Sequence, residues 1–174
     1  MNFRKLKLSF PAFVFISFLW IDSYGQDNLN NLINQIKMDC EKVNKDAKTF
    51  KIIEEDIEGQ SSEGGILKRY YKDKDLKKAE FTLFGETGQS TSEYYFQNGE
   101  LIFVKERTEI YEVPIYMGKT ETASLENDEM YFKNQILVRW LDNDGKIVDQ
   151  VKYLEKQIEI MNDLKIINQD RKDK

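Results

Sequence analysis

Three stretches of this chain set apolar and polar positions in the same order: Tyr70-Tyr71-Lys72-Asp73-Lys74-Asp75-Leu76, Tyr95-Phe96-Gln97-Asn98-Gly99-Glu100-Leu101 and Tyr131-Phe132-Lys133-Asn134-Gln135-Ile136-Leu137. A tyrosine and a second aromatic come first, then a polar residue, Asp or Asn, two variable residues and a leucine. Large apolar residues on both sides of a turn former are what a strand, a tight turn and a returning strand require. The pattern predicts hairpins at 66–84, 91–107 and 130–141. Asn98-Gly99 is the strongest short-range turn signal among them. An earlier strand is expected at Phe50–Ile57, ended by the Gly/Ser-rich stretch 58–65. A longer link from Thr108 to Asn127 holds Pro114 and the apolar patch Val113, Ile115, Tyr116 and Met117.

At both ends of this region the period changes. Leu29, Leu32, Ile33, Ile36, Cys40 and Val43 step by three and four residues, predicting a helix capped by Asp27 and running to about Lys48. After the turn Asp142-Asn143-Asp144-Gly145, a second helix is predicted from the stripe Val148, Val151, Leu154, Ile158, Met161, Leu164 and Ile167. A sheet so rich in aromatics must bury a face, and both helices are expected to cover the same one. The fold class that follows is α+β: a single antiparallel sheet of about seven strands built from successive hairpins, flanked by an N-terminal and a C-terminal helix.

The first residues follow a different rule. Arg4, Lys5 and Lys7 precede the uncharged run Leu8–Trp20, and Ser23-Tyr24-Gly25 places small residues before Gln26. Charge, apolar run and small residues in that order predict a secretory signal peptide over residues 1–25, leaving 26–174 as one domain in the periplasm or secreted. As a helix the run rises only about 20 Å, short of the roughly 30 Å hydrocarbon core, and Pro11 interrupts it. No stable membrane insertion after cleavage is therefore expected.

Charge narrows the partners. The formal charge is −5, and it moves to −7 once the three cations and one acid of residues 1–25 are set aside. That balance argues against nucleic acid as a partner. Histidine is absent, which removes Ser-His-Asp and Cys-His nucleophilic sites and the common imidazole metal sites. No cofactor, metal site or catalytic residue is nominated. Cys40, the single cysteine, falls on the helix stripe and reads as a small buried hydrophobe. Asp142-Asn143-Asp144-Gly145 lacks calcium-loop ligands, because Trp140 and Val151 occupy the first and twelfth positions.

The segments Glu93–Val104 (EYYFQNGELIFV) and Glu129–Asp142 (EMYFKNQILVRWLD), followed by a charged helix, resemble small uncharacterised exported bacterial proteins that carry the same tyrosine–aromatic–turn–leucine phrase. The phrase is also loosely similar to variant MORN repeats. That resemblance spans residues 66–145 and implies a sheet of hairpins; it implies no activity and no site residues.

What remains is a binding surface. Tyr70, Tyr95 and Tyr131 hold equivalent hairpin positions, and they are accompanied by Arg69, Arg107 and Arg139, with Tyr111 and Tyr116 in the long link. Tyrosine rings combine apolar area with a polar tip, which suits an unknown protein, peptide or glycan partner. The expected function is thus an exported, non-catalytic binding module, with Tyr70, Tyr95, Tyr131, Arg139, Tyr111 and Tyr116 as candidate contacts. The same tyrosines would serve equally as packing residues beneath the helices. Two alternatives stand beside it. One is a carboxylate-dependent hydrolase with Glu54 and Asp56 as first suspects; the other is an acidic inhibitor or immunity-type protein that masks a basic partner.

Overall fold

The computed structural model describes residues 15–119 and 121–169, with side chains from Gln26 onward. The expected signal segment lies largely outside the described residues: of positions 1–25, only the helical backbone from Phe15 is described. Helix α1 (Phe15–Asp46) and a short 3-10 turn lead into seven strands. These are β1 (Lys51–Ile57), β2 (Gly65–Lys72), β3 (Asp75–Gly85), β4 (Gly88–Gln97), β5 (Glu100–Tyr111), β6 (Thr122–Lys133) and β7 (Ile136–Leu141). They form one open antiparallel sheet in chain order, β1 to β7. Helix α2 (Tyr153–Ile167) closes the chain. Asp27, the expected N-cap, lies inside α1 rather than at its start.

The three repeated phrases build the same device. Asp73, Asn98 and Asn134 each begin a turn with a positive φ of 51 to 58°, the conformation that short polar side chains and glycine tolerate best. Register shifts at Tyr70/Tyr71, Tyr95/Phe96 and Tyr131/Phe132, so each returning strand carries one extra residue. The second aromatic then stands opposite the leucine, as Tyr71 with Leu76, Phe96 with Leu101 and Phe132 with Leu137. A bulge of this kind bends and twists a hairpin close to its turn.

Because neighbours on a strand face opposite ways, each phrase sends its tyrosine to one face and its second aromatic to the other. Both faces therefore need cover, and the expectation that both helices lie on one face is corrected. α1 packs Ile36 and Cys40 against Tyr95, Phe103 and Tyr131. α2 packs Ile160 and Ile167 on the opposite face, against a larger core holding Leu67, Phe81, Phe96, Val104, Met130 and Phe132. Full burial of such a side chain contributes roughly 1.5–3 kcal/mol, so the α2 face carries more of the apolar stabilisation.

Polar contacts fix α2 in place. Arg69, 4 % exposed, donates from Nε to the Ile167 carbonyl at 2.6 Å and from Nη2 to the Ile166 carbonyl at 3.1 Å, while pairing with Glu55 at 2.9 Å. A guanidinium at the helix C-terminus meets carbonyls that have no partner within the helix. The β7 backbone N–H of Leu137 donates to Gln157 and that of Trp140 to the Tyr153 hydroxyl, both at 2.9 Å, so α2 shields the edge of β7.

Two sequence expectations change with the strands. Half of the link expected over 108–127 is sheet, since β5 runs to Tyr111 and β6 starts at Thr122. The stripe expected to bury α2 is split: Leu164 and Ile167 pack inward, but Val151, Leu154 and Ile158 face solvent.

Candidate functional site

The register aligns one residue from every strand across the α1 face: Ile52, Tyr70, Lys78, Tyr95, Phe103, Tyr131 and Arg139. Tyr95 and Tyr131 are 2 % and 0 % exposed beneath α1. Their rings stack in tilted fashion on Phe103, with centroids 5.7 and 4.9 Å apart. As candidate contacts these two are corrected: the rings are core, not a free surface. Tyr70 is half-buried in the same row, and Arg139 stands partly exposed opposite Tyr131. Tyr111 lies about 27 Å along β5 from Phe103 by strand rise, and Tyr116 is exposed in a 3-10 turn beyond it. The structure does not bring those two to the tyrosine row.

The hydroxyls of the row all point the same way, into a line of carboxylates. Tyr70 donates to Glu80 at 2.7 Å, Tyr95 to Glu93 at 3.0 Å and Tyr131 to Glu129 at 2.6 Å. Buried Lys78 sits between Glu93 at 2.5 Å and Glu80 at 3.1 Å, its ammonium 5.2 Å from the Tyr95 ring centroid and 5.7 Å from that of Tyr70. Burial works against its charge, but the Glu93 hydrogen bond and the two carboxylates outweigh it and hold the ammonium above the ordinary lysine range. Burial, reinforced by Glu80 and Glu93 respectively, pushes the Tyr70 and Tyr95 hydroxyls up to about 12. The Tyr131 hydroxyl is raised by burial and then by Glu129. This lattice locks α1 to the sheet through Asn44, 2.9 Å from the Tyr95 hydroxyl, and Lys37, 3.6 Å from Glu129.

Beyond that line the sheet is uncovered. A depression of about 370 Å³ runs over β4, β5 and β6, floored by Thr91, Glu93, Lys105, Arg107, Glu109 and Asn127. A second, of about 290 Å³, shares Glu93 and Lys105 and reaches the Tyr95 and Tyr131 hydroxyls at the flank of α1. Together they make one groove. Its carboxylates are engaged from within: Glu93 by Lys78 and Tyr95, Glu129 by Tyr131 and Lys37, and Glu109 by Gln89 and Thr122. The Thr122 and Gln89 hydrogen bonds hold the Glu109 carboxyl below its usual range. In register Lys105 stands between Glu93 and Glu129, and Arg107 between Thr91 and Asn127. Both cations are exposed, and among the described residues neither makes an ion pair with a carboxylate.

The groove holds anchored acceptors and two exposed cations, Lys105 and Arg107, the second acting on the Glu109 carboxyl. Such a floor suits recognition of an extended polar ligand. A two-carboxylate hydrolase needs one acid kept protonated by a raised pKa. Asp163, whose carboxyl is raised mainly by burial, accepts from Tyr94 at 2.6 Å on the α2 face, across the sheet from this groove. Glu54, exposed on the edge strand β1, pairs with Lys68 at 3.1 Å. Among the described residues, no three Cys, Asp or Glu side chains are gathered to hold a metal, and no helix is long and apolar enough to cross a membrane.

Sequence reasoning passed over Thr91, Glu93, Lys105 and Asn127. Their signal lies in three polar runs, 89–93, 105–109 and 126–129, whose odd-numbered members share the parity of Tyr95, Phe103 and Tyr131 and come level once the strands are paired. Comparisons with family models, with curated proteins and with solved structures found no match to this chain.

Proposed function

We propose that this chain is an exported, non-catalytic binding module of the kind its hairpin phrases resemble. Its ligand surface is the open polar half of the α1 face. The observation that carries this reading is the groove itself: α1 covers the aromatic row and leaves the adjoining rows bare, floored by anchored carboxylates, Thr91, Asn127 and the exposed Lys105 and Arg107. The tyrosines keep a part in it as hydroxyl tips and as the wall that holds Glu93 and Glu129. The ordered leader pattern of residues 1–25 supports export.

Glycan-array and peptide-library screening of the full-length chain tests the reading. Ligand retained by the wild type is expected to bind at least about tenfold more weakly to Arg107→Ala and Thr91→Val, a difference of about 1.4 kcal/mol. Leu154→Ala, on α2 at the opposite face of the sheet from the groove, leaves binding unchanged. Retention insensitive to both groove variants sinks the proposal. N-terminal sequencing of the exported protein checks the leader, with Gln26 expected as the first residue.

A further inference from the structure

Away from the groove, α2 and its lead-in carry an apolar stripe that none of the described residues covers. Ile147, Val151, Leu154 and Ile158 are 60, 86, 70 and 55 % exposed. Val151, Leu154 and Ile158 step by three and four residues through the 3-10 turn Gln150–Lys152 into α2, which sets them along one side, while Ile147 lies before that turn, bridged to Leu141. Isolated exposed aliphatics are ordinary on a protein surface, whereas a contiguous stripe marks an interaction site. The stripe belongs to an anchored element: Ile160 and Ile167, on the inward side of the same helix, are 2 % and 1 % exposed, and Arg69 caps its last carbonyls.

The surroundings specify what fits there. At the start of α2 opens a groove of about 570 Å³ lined by Glu126, Asp128, Asp142, Asp144 and Asp149, with Ile147 in its wall and Lys152 as its one lining cation. Nearby, Lys146 is engaged by Asp144 at 2.8 Å. Lys156, one turn on, is engaged by Glu106 and Glu159. The margin of the stripe is thus acidic. An anionic bilayer would be repelled by such a margin, and an acidic peptide would face like charges across it.

We propose that this stripe and its acidic margin dock a basic amphipathic helix of a partner protein. The partner's apolar face lies on Val151, Leu154 and Ile158, and its Lys or Arg residues lie over Asp142, Asp144 and Asp149. This is helix-in-groove recognition, with apolar anchors for affinity and charge for orientation and partner choice.

The experiment uses the full-length chain and a fluorescent Leu/Lys peptide of about 18 residues, five helical turns with one apolar face. Its control is the same peptide with Glu for every Lys. Anisotropy is expected to show binding of the Lys peptide and at least about tenfold weaker binding of the Glu peptide. The Val151→Gln/Leu154→Gln double variant is expected to lose about tenfold or more. Asp142→Asn/Asp144→Asn/Asp149→Asn keeps the turn's acceptor oxygens but is expected to weaken binding and flatten its salt dependence. Thr91→Val leaves it unchanged, which separates this surface from the sheet groove. Equal affinity for both peptides, or indifference to the double variant, overturns the proposal. So does a concentration-dependent dimer in sedimentation that the double variant abolishes, because a second copy is then the occupant. Binding to phosphatidylglycerol vesicles that the double variant abolishes also overturns it.

Discussion

Arg69 shows how far a single side chain can reach in this fold. Its guanidinium joins β2 to β1 through Glu55 and to the end of α2 through the carbonyls of Ile166 and Ile167. Replacing it with Gln leaves the Glu55 carboxylate without this partner and strips a buried helix end of its donor. A loss of roughly 3 kcal/mol is expected, the scale of breaking a buried pair from one side. Urea unfolding followed by far-UV circular dichroism measures it; a change below about 0.5 kcal/mol, ordinary for a surface site, would show that α2 does not depend on the cap. From the sequence Arg69 was readable only as a neighbour of Tyr70. Its role depends on a contact with residues 97 and 98 positions further along the chain.

At the scale of elements, the repeated phrases were the most legible part of the chain. Asp73, Asn98 and Asn134 turn where expected, and each leucine meets its aromatic. Gly99, at φ +81° and with open space where a Cβ would stand, tests how much this turn chemistry contributes. Gly99→Ala is expected to cost about 1 kcal/mol through the left-handed backbone alone, read as a lowered melting temperature with unchanged spectrum. An equal or higher melting temperature would contradict that reading. The end of β5, 108–111, and the start of β6, 122–129, were missed for a physical reason. Polar residues fall on both faces there, with Ile110 and Leu125 isolated among them, so the stretch carries no apolar period to read. Helix placement failed differently: two adjacent aromatics on a strand necessarily face opposite ways, and that parity rule, applied to Tyr95-Phe96, already demands cover on both sides.

Taken whole, the molecule stores its pH sensitivity in the lattice between α1 and the sheet. Burial and the neighbouring carboxylates hold Tyr70 and Tyr95 at about 12 in the fold against 10.0 for a free tyrosine, and Tyr131 is raised as well. A group whose folded pKa is raised gives stability that is complete below the unfolded value and lost as pH climbs to the folded one. Stability is therefore expected to fall between about pH 10 and 12 as the tyrosines ionise, and Lys78, held above its ordinary range, adds its own loss at the alkaline end. On the acid side Glu80 and Asp163 oppose each other. Glu80 is lowered because Tyr70 and Lys78 outweigh its burial, so its contribution is lost as pH falls; Asp163 is raised, so its contribution grows. Urea midpoints across pH should show a steep alkaline limb that Tyr70→Phe/Tyr95→Phe makes shallower. An unchanged limb in that variant would remove these hydroxyls from the account.

The strict chain order of the sheet, β1 through β7, governs how the molecule comes to be folded. Each strand's partner is the one just synthesised or the next to emerge, so every ladder closes across a short loop at small entropic cost. Contacts near in sequence favour fast assembly, and the Asn98-Gly99 hairpin can nucleate a sheet that zips outward in both directions. The helices are the exceptions: Lys37 of α1 waits for Glu129, and Arg69 waits for the last turn of α2. A C-terminal helix that docks last is expected to slow unfolding more than it hastens folding, so Arg69→Gln should raise the unfolding rate and leave the folding rate nearly unchanged.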